Sequence, residues 1–166
     1  MNELYFEQLV KKTPSATDKL KRYGLIVLTV LFVLAGLGNP IFLLPGVILI
    51  GVTYFLLPST DLEFEYIYVD GDIDIDAVMG KAKRKRKKSF SVKEIELMAP
   101  AKSHRMDYYN NDMKMQVLDY SSNNPENHCF CAVIHQDGAA QKILFEPNQE
   151  MLDAIRMRAP GKVFLD

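Results

Sequence analysis

The chain has 166 residues, a formal net charge of −1 at pH 7 and an apolar fraction of 48%. A chain of this length holds one membrane element and one modest globular domain, which excludes a second independently folding domain. The charged residues are unevenly distributed, because residues 23–57 contain no Asp, Glu, Lys, Arg or His.

Residues 1–22 are predicted to form a cytoplasmic amphipathic segment ahead of this uncharged stretch. Its apolar residues are Leu4, Tyr5, Leu9 and Val10. Their spacing fits one face of a helix, and the residues after position 12 break the pattern. We therefore expect either a short helix on the surface of the inner leaflet or a helix that packs on the soluble domain.

Residues 23–57 are predicted to form a transmembrane helical hairpin. A bilayer core about 30 Å thick needs about 20 helical residues, so a stretch of about 35 residues, roughly 52 Å as a helix, is too long for one span. Asn39 and Pro40 lie near its middle, where a reversal is favoured. We expect arms at about residues 23–37 and 41–57. Because these arms are short, the hairpin either crosses a thinned bilayer or forms a re-entrant wedge.

A secretory signal peptide is the rival interpretation of this region, because basic residues precede the apolar stretch. The stretch is far longer than a signal core and has no small-x-small cleavage site before its second arm, which favours a membrane anchor. A hairpin returns the chain to the side that it left. Basic residues flank both arms, so the positive-inside rule places both termini in the cytoplasm of a multi-pass membrane protein.

Residues 61–166 are predicted to form a cytoplasmic α+β domain with a small antiparallel sheet and a C-terminal helix. Asp70-Gly71 favours a two-residue turn between the first two strands. In the second strand Ile73 and Ile75 share one face, and aspartates occupy the other. Further strands are expected at residues 85–92, 95–98, 114–120, 129–135 and 141–145, and a helix at residues 149–158.

Several segments of the chain carry a resemblance to known proteins. They are Tyr66-Ile67-Tyr68-Val69-Asp70-Gly71, Asp74-Ile75-Asp76 with Met79-Gly80-Lys81, Glu96-Leu97-Met98-Ala99-Pro100, Phe145-Glu146-Pro147-Asn148, Ala159-Pro160 and Lys162-Val163-Phe164. In these segments the chain resembles a family of small bacterial membrane-hairpin proteins known mainly from Firmicutes, and its soluble domain resembles bacterial pleckstrin-homology-like (PH-like) domains. The resemblance implies a curved sheet capped by a C-terminal helix and a bacterial inner-membrane location. It implies no activity.

The strongest candidate binding site is a basic run that follows the second predicted strand. Its members are Lys81, Lys83, Arg84, Lys85, Arg86, Lys87 and Lys88. An anionic leaflet attracts such residues by about 1 kcal/mol for each Lys or Arg near its surface, so the run is predicted to bind lipid headgroups or another anionic partner. The alternative is cross-strand pairing with the acidic residues of the segment 61–76. Nucleic acid is not expected, because the domain is acidic overall and no aromatic residues interleave the run.

No motif in the sequence indicates a catalytic or metal site. Cys129 and Cys131 are predicted to be free thiols on one face of a strand, where adjacent thiols are poorly placed for a disulfide. His128 and His135 lie nearby, but the spacing matches no paired Cys-x-x-Cys zinc motif. A Gly-rich phosphate loop, a Gly-x-Ser-x-Gly elbow and a His-Glu-x-x-His motif are missing. We expect a protein that is not an enzyme and that holds no cofactor or metal.

The sequence therefore predicts a noncatalytic membrane-anchored binding or scaffold protein. Its hairpin presents a PH-like domain at the cytoplasmic membrane surface, where the domain binds anionic lipid headgroups or a protein partner. The alternative is a subunit or assembly factor of a membrane complex that is recognised through the hairpin, since Gly36, Gly46 and Gly51 allow another helix to approach closely.

Overall fold

The structure, a computed structural model, describes residues 4–56, 62–112, 115–136 and 138–166. The chain divides into two compact units. One unit is a helix pair that comprises the described parts of residues 13–62 together with residues 79–83. The other is a sheet domain that comprises the described parts of residues 1–12, 63–78 and 84–166.

The elements follow one another in an α+β arrangement. They are β1 (Tyr5–Lys11), α1 (Ala16–Gly38), a 3-10 turn (Pro40–Phe42), α2 (Leu43–Leu56), β2 (Leu62–Val69), β3 (Asp72–Met79), β4 (Lys83–Ser91), β5 (Ile95–Pro100), α3 (Asp107–Asn110), β6 (Gln116–Asp119), β7 (Phe130–Gln136), β8 (Ala139–Phe145) and α4 (Gln149–Arg158). The predicted strands lie close to the observed ones, although Lys114, at the start of one prediction, is outside the described residues.

The helix pair confirms the predicted reversal near Asn39. α1 begins earlier than the predicted arm at residue 23, because the Ser15 side chain accepts a hydrogen bond from the backbone of Asp18 and forms a capping box with it. Within the described residues, only α1 is long and apolar enough to cross a bilayer, whereas the apolar helix over Pro40–Leu56 is shorter. A signal sequence near the N-terminus would meet the same criterion. The helix lengths therefore do not support the predicted pair of complete crossings.

The two helices pack closely against each other. The hydroxyl groups of Thr29 and Thr53 are 2.9 Å apart across the interface. A Cβ atom at Gly46 would lie 3.6 Å from the backbone of Phe32, which is an ordinary contact distance, so the helix packing does not require glycine there. At Gly36 an added Cβ would lie 2.6 Å from Leu43. Gly36 and Gly46, two of the candidates for contact with a partner helix, are both buried in the pair, and only Gly36 lacks room for a Cβ atom.

Two four-stranded sheets and α4 form the sheet domain. The first sheet has the strand order β1-β2-β3-β4, and the second has the order β5-β7-β8-β6. The turn between β2 and β3 is the predicted one: Asp70 and Gly71 both have positive φ angles, 50° and 106°. The second sheet differs from the antiparallel prediction, because β6 pairs with β8 in parallel.

The core lies between the sheets and under α4. Its largest fully buried side chains include Tyr66, Tyr68, Phe145, Ile73, Ile75, Met98, Met151 and Ile155. The predicted alternation in β3 is confirmed at Ile73 and Ile75, which have no exposed surface. α4 has the predicted bounds because the Asn148 side chain caps its first turn by accepting a hydrogen bond from Met151 N.

The prediction of a helix at the N-terminal segment is wrong. Residues Tyr5–Lys11 form strand β1, which pairs antiparallel with β2 from Tyr5↔Val69 to Lys11↔Glu63. Val10 is buried in the core, and the Gln8 side chain bonds to the backbone of Glu146. Apolar residues four and five positions apart fit a helix, but pairing with β2 decides the conformation.

Candidate anion-binding surface

The basic run occupies the β3–β4 turn and most of β4, an edge strand of the first sheet. Lys81 lies in the turn with a positive φ angle of 57°. The basic residues from Lys83 to Lys88 follow on β4, and of the whole run only Lys88 is half-buried while the others are exposed. The residues of the run on β4 differ in the contacts that they make.

Arg84 is held by a buried carboxylate. Its Nη2 donates to Oε1 of Glu65 at 2.7 Å, and the side chains are 57% and 1% exposed, respectively. Glu65 belongs to β2, so the guanidinium reaches across β3 to make this ion pair. Burial raises the pKa of Glu65, and hydrogen bonding to the neighbouring Glu7 raises it further. Arg84 therefore compensates a carboxylate that has little access to water.

Arg86 is held by two aspartates of the adjacent strand. Its Nη2 lies 2.9 Å from Oδ2 of Asp74, and its Nε donates to Oδ1 of Asp76 at 3.3 Å. The Asp76 side chain is only 7% exposed. Lys88 contacts the second sheet, where it donates to the side-chain oxygens of Gln136 and Gln141. The cross-strand alternative is thus confirmed for the two arginines, which are engaged within the domain.

The other lysines of the run differ from the arginines between them. Lys81, Lys83, Lys85 and Lys87 are exposed, and no carboxylate in the described parts of the chain forms an ion pair with them. Successive side chains of a strand point to opposite faces, so Lys83 and Lys85 lie opposite Arg84 and Arg86. We call Lys83, Lys85 and Lys87 the lysine stripe. No ion pair within the described residues neutralises its charge.

The resemblance implies one curved sheet capped by a C-terminal helix, whereas the structure has two four-stranded sheets together with α4. The family model described as "Bacterial PH-like domain (DUF6106)" matches residues 2–165. The chain belongs to this family. Comparisons with curated proteins and with solved structures found no match. The resemblance to bacterial PH-like proteins is confirmed over nearly the whole chain, in a family whose function is unknown.

A second feature of the PH-like domain is a cleft of about 1080 Å³ beside β1 and the start of α4. Glu146 lines it and is nearly buried. One oxygen of Glu146 accepts from the backbone and hydroxyl of Ser122 at 2.9 and 2.8 Å, and the other accepts from Asn127 at 2.9 Å. This carboxylate therefore secures the loop that precedes β7, and no periodic pattern in the sequence marked it.

The two cysteines of the PH-like domain are free thiols, as predicted. Cys131 is buried in β7, and burial raises its pKa to about 11. Burial also raises the pKa of Cys129, to about 12. His135 lies against Glu96, at 2.5 Å, and in the described residues no group of His, Cys, Asp and Glu is arranged to hold a metal ion. Thiolate chemistry at neutral pH is disfavoured here.

Proposed function

We propose that this PH-like protein is a noncatalytic binding module anchored in the bacterial inner membrane. The helix pair is the anchor, and the sheet domain lies at the cytoplasmic surface. There the lysine stripe contacts anionic lipid headgroups. The noncatalytic assignment is supported by the absence of catalytic motifs from the sequence and by the raised pKa of both thiols.

The pairing of β1 with β2 is the observation that carries the anchor proposal. β1 precedes the helix pair and β2 follows it, yet the two strands form one antiparallel ladder of seven residue pairs. A chain that crossed a bilayer once between them would leave the strands on opposite sides. The helix pair must therefore begin and end on the same side of any membrane that it enters.

The same pairing argues against removal of the helices as a signal peptide. Cleavage beyond the apolar stretch would also remove β1, and with it the buried side chain of Val10 and the Gln8 contact to the Glu146 backbone. The first sheet would then lose its edge strand. Retention of the segment agrees better with a folded PH-like domain.

Charge supports the cytoplasmic orientation. Exposed Lys19, Lys21 and Arg22 lie at the start of α1, and residues 23–56 of the helix pair carry no charge. Basic residues near the ends of membrane helices stay preferentially in the cytoplasm. This placement brings the sheet domain to the leaflet surface at which anionic lipids attract Lys and Arg.

The lysine stripe is suited to headgroups because its charge is not compensated within the described residues. Each lysine near an anionic surface contributes about 1 kcal/mol, and the attraction decays over about 8 Å at physiological salt. Three such residues would bias the orientation of a domain that is already tethered. Arg84 and Arg86 contribute less in this scheme, because Glu65 and Asp76 already bind them.

Lysine acetylation in nanodiscs tests the headgroup contact in the full chain. The protein is incorporated into zwitterionic nanodiscs and into nanodiscs with added phosphatidylglycerol, and acetylation is read by mass spectrometry. We expect slower acetylation of Lys83, Lys85 and Lys87 in the anionic nanodiscs, with recovery at high salt. Lys93 and Lys102, exposed elsewhere on the domain, serve as internal controls. Equal rates in both nanodiscs would rule out the headgroup contact.

A protein partner is the second candidate, and the cleft beside β1 favours it. β1 is an edge strand whose outer side pairs with no other strand among the described residues, and Leu9 is exposed there. An exposed strand edge can accept an extended segment of another protein. A photo-crosslinker at Leu9 in cells should capture a discrete partner, whereas one at exposed Tyr108 should not. The same pattern of products from both positions would count against this candidate.

A further inference from the structure

We propose that the helix pair is a re-entrant wedge in the cytoplasmic leaflet. Its tip around Asn39 ends among the lipid acyl chains and does not reach the aqueous phase on the far side. This inference rests on the proposed membrane anchor and specifies how deeply the anchor enters the bilayer. The partner of the helix pair is accordingly the hydrocarbon interior of the bilayer, entered from one side only.

The length of the uncharged part supports a wedge. α1 carries its charged residues, Asp18, Lys19, Lys21 and Arg22, in its first turns. The remaining residues 23–38 extend about 24 Å as a helix, and α2 extends about 21 Å, whereas the hydrocarbon core is about 30 Å thick. With its basic end at the cytoplasmic interface, the pair stops short of the opposite headgroups.

The tip has the surface of a segment that stays in hydrocarbon. Leu37 and Ile41 flank the turn and are 79% and 72% exposed. A tip in water would leave both side chains solvated, and no charged residue accompanies them. Insertion into acyl chains removes this apolar surface from water, at about 25 cal/mol for each Å².

The aromatic residues that suit an interface lie at one end of the pair only. Tyrosine is enriched where hydrocarbon meets headgroups, and a hairpin that crosses completely has two such levels. Tyr23 and Tyr54 are exposed near the open end of the pair, beside the basic residues. The tip has neither Tyr nor Trp, and no Lys or Arg. The helix pair therefore has residues suited to a membrane–water interface at one end only.

The backbone N–H groups at the tip form hydrogen bonds within the protein. Asn39 N donates to Ala35 O at 2.9 Å, and Phe42 N donates to Asn39 O at 3.1 Å. Ile41 N donates to the Asn39 side chain at 3.2 Å, and Leu43 N donates to Pro40 O. Since proline has no N–H, every backbone N–H from position 39 to position 43 has an acceptor, as burial in hydrocarbon requires.

The side chains of Thr29 and Thr53 are turned toward each other. The hydroxyls of Thr29 and Thr53 lie 2.9 Å apart between the helices, and Thr29 also donates to Leu25 O at 2.8 Å. The outer surface is then formed by exposed aliphatic and aromatic side chains, among them Val27, Leu31, Leu34, Leu44, Val47, Ile48 and Phe55. This surface matches acyl chains along the depth of the wedge.

Cysteine labelling in the full chain tests the wedge. Leu37→Cys and Ile41→Cys are made separately in a chain that also carries Cys129→Ala and Cys131→Ala, and a membrane-impermeant maleimide is applied to intact cells and to inverted membrane vesicles. We expect background labelling of both tip cysteines in both preparations and full labelling once detergent is added. Ala16→Cys, at the exposed start of α1, should react in inverted vesicles without detergent.

Labelling of Leu37→Cys or Ile41→Cys from outside intact cells would overturn the wedge and show a complete crossing, with the anchor itself retained. Recovery of the chain in the soluble fraction would instead remove the anchor, so the two failures are distinguishable. A fluorophore at position 37 in reconstituted vesicles gives a second reading: lipids spin-labelled deep in the acyl chain should quench it more than headgroup-labelled lipids. The reverse order would contradict the wedge.

Discussion

Arg84 on β4 reaches across β3 to bind the buried carboxylate of Glu65 on β2. The Nη2 to Oε1 distance is 2.7 Å, and Glu65 is almost completely removed from solvent. A polar contact thus joins β4 to β2 across β3, on the sheet that carries the lysine stripe. Within the basic run, Arg84 and Arg86 form ion pairs with carboxylates of the sheet, whereas the lysine stripe forms none among the described residues.

Arg84→Gln should destabilise the PH-like domain, because it leaves the Glu65 carboxylate buried without its cation. Arg84 is itself half exposed, so the expected loss is about 1–3 kcal/mol, below that for a fully buried pair. Lys85→Gln removes the same charge one position away and should change stability by less than about 0.5 kcal/mol. Thermal unfolding in detergent, followed by circular dichroism, compares them. An equal loss of stability in both variants would show that Arg84 and Lys85 do not differ in their contribution to the fold.

Replacing both partners separates the ion pair from the individual residues. Glu65→Gln combined with Arg84→Gln should be more stable than Arg84→Gln alone, because no buried charge is left unpaired. The double-mutant cycle should therefore give a coupling energy of about 0.5–3 kcal/mol. A coupling near zero, measured by the same unfolding experiment, would mean that Glu65 tolerates burial without Arg84.

Glu7→Gln should flatten the pH dependence of stability. Glu7 lies diagonally opposite Glu65 across the β1–β2 ladder. The Tyr5 hydroxyl lowers the pKa of Glu7, whereas burial and Glu7 raise that of Glu65. Because the folded-state pKa of Glu65 is raised, its contribution to stability is present below the ordinary value and is lost as pH rises through the raised one. Glutamine at position 7 removes a like charge and offers Glu65 a hydrogen-bond donor.

The expected result is a smaller change of melting temperature between acid and neutral pH than in wild type, because both the lowered pKa of Glu7 and its effect on the pKa of Glu65 are removed. Melting temperatures measured across the acid to neutral range provide the check. Glu126→Gln, on an exposed loop, is the control for a simple change of charge. If Glu7→Gln and Glu126→Gln gave the same profile of melting temperature against pH, the Glu7–Glu65 contact would not govern the pH dependence of stability.

The two native thiols should be unreactive in the folded chain. With pKa values of about 11 and about 12, Cys131 and Cys129 are thiolate to about one part in a thousand or less at pH 8. A disulfide reagent such as DTNB should react slowly in detergent and rapidly after denaturation. Lys102→Cys, on the surface, should supply one fast-reacting thiol. Two fast thiols in the unmodified chain would show that both cysteines are open to solvent.

Gly36→Ala should loosen the helix pair. An added Cβ would lie 2.6 Å from the Leu43 side chain and 3.2 Å from its backbone nitrogen, so the turn has to shift. Gly51 has no atom within 4 Å of the same position, and Gly51→Ala should gain helix stability of up to about 1 kcal/mol. Hydrogen exchange in micelles, read over residues 30–50, should rise for the first variant only. A rise for both, or for neither, would contradict the packing.

The parts of the fold that the sequence predicts well are those specified by local contacts. Asn148 caps α4 through a residue three positions away, and Asp70-Gly71 closes the β2–β3 turn by backbone conformation alone. Both were correctly located. β1 was assigned to the wrong class because its spacing satisfies a helix, and the decision depends on β2, which lies on the other side of the helix pair.

The division of the basic run could not be predicted for a similar reason. The seven neighbouring cations are equivalent in the sequence. Which of them form ion pairs depends on carboxylates that the fold places beside them. Arg84 and Glu65 are 19 positions apart, and Glu146 and Ser122 are 24 apart. Glu65 also occupies a polar position of an alternating strand, so its burial has no local signal.

The central claim is that the helix pair is embedded in a membrane, and fractionation of cells that express the full chain tests it most directly. The membrane pellet is washed with alkaline carbonate and then with detergent. We expect the chain to stay in the pellet through the carbonate wash and to be released only by detergent. Recovery of the chain in the soluble fraction or in the carbonate supernatant would contradict it.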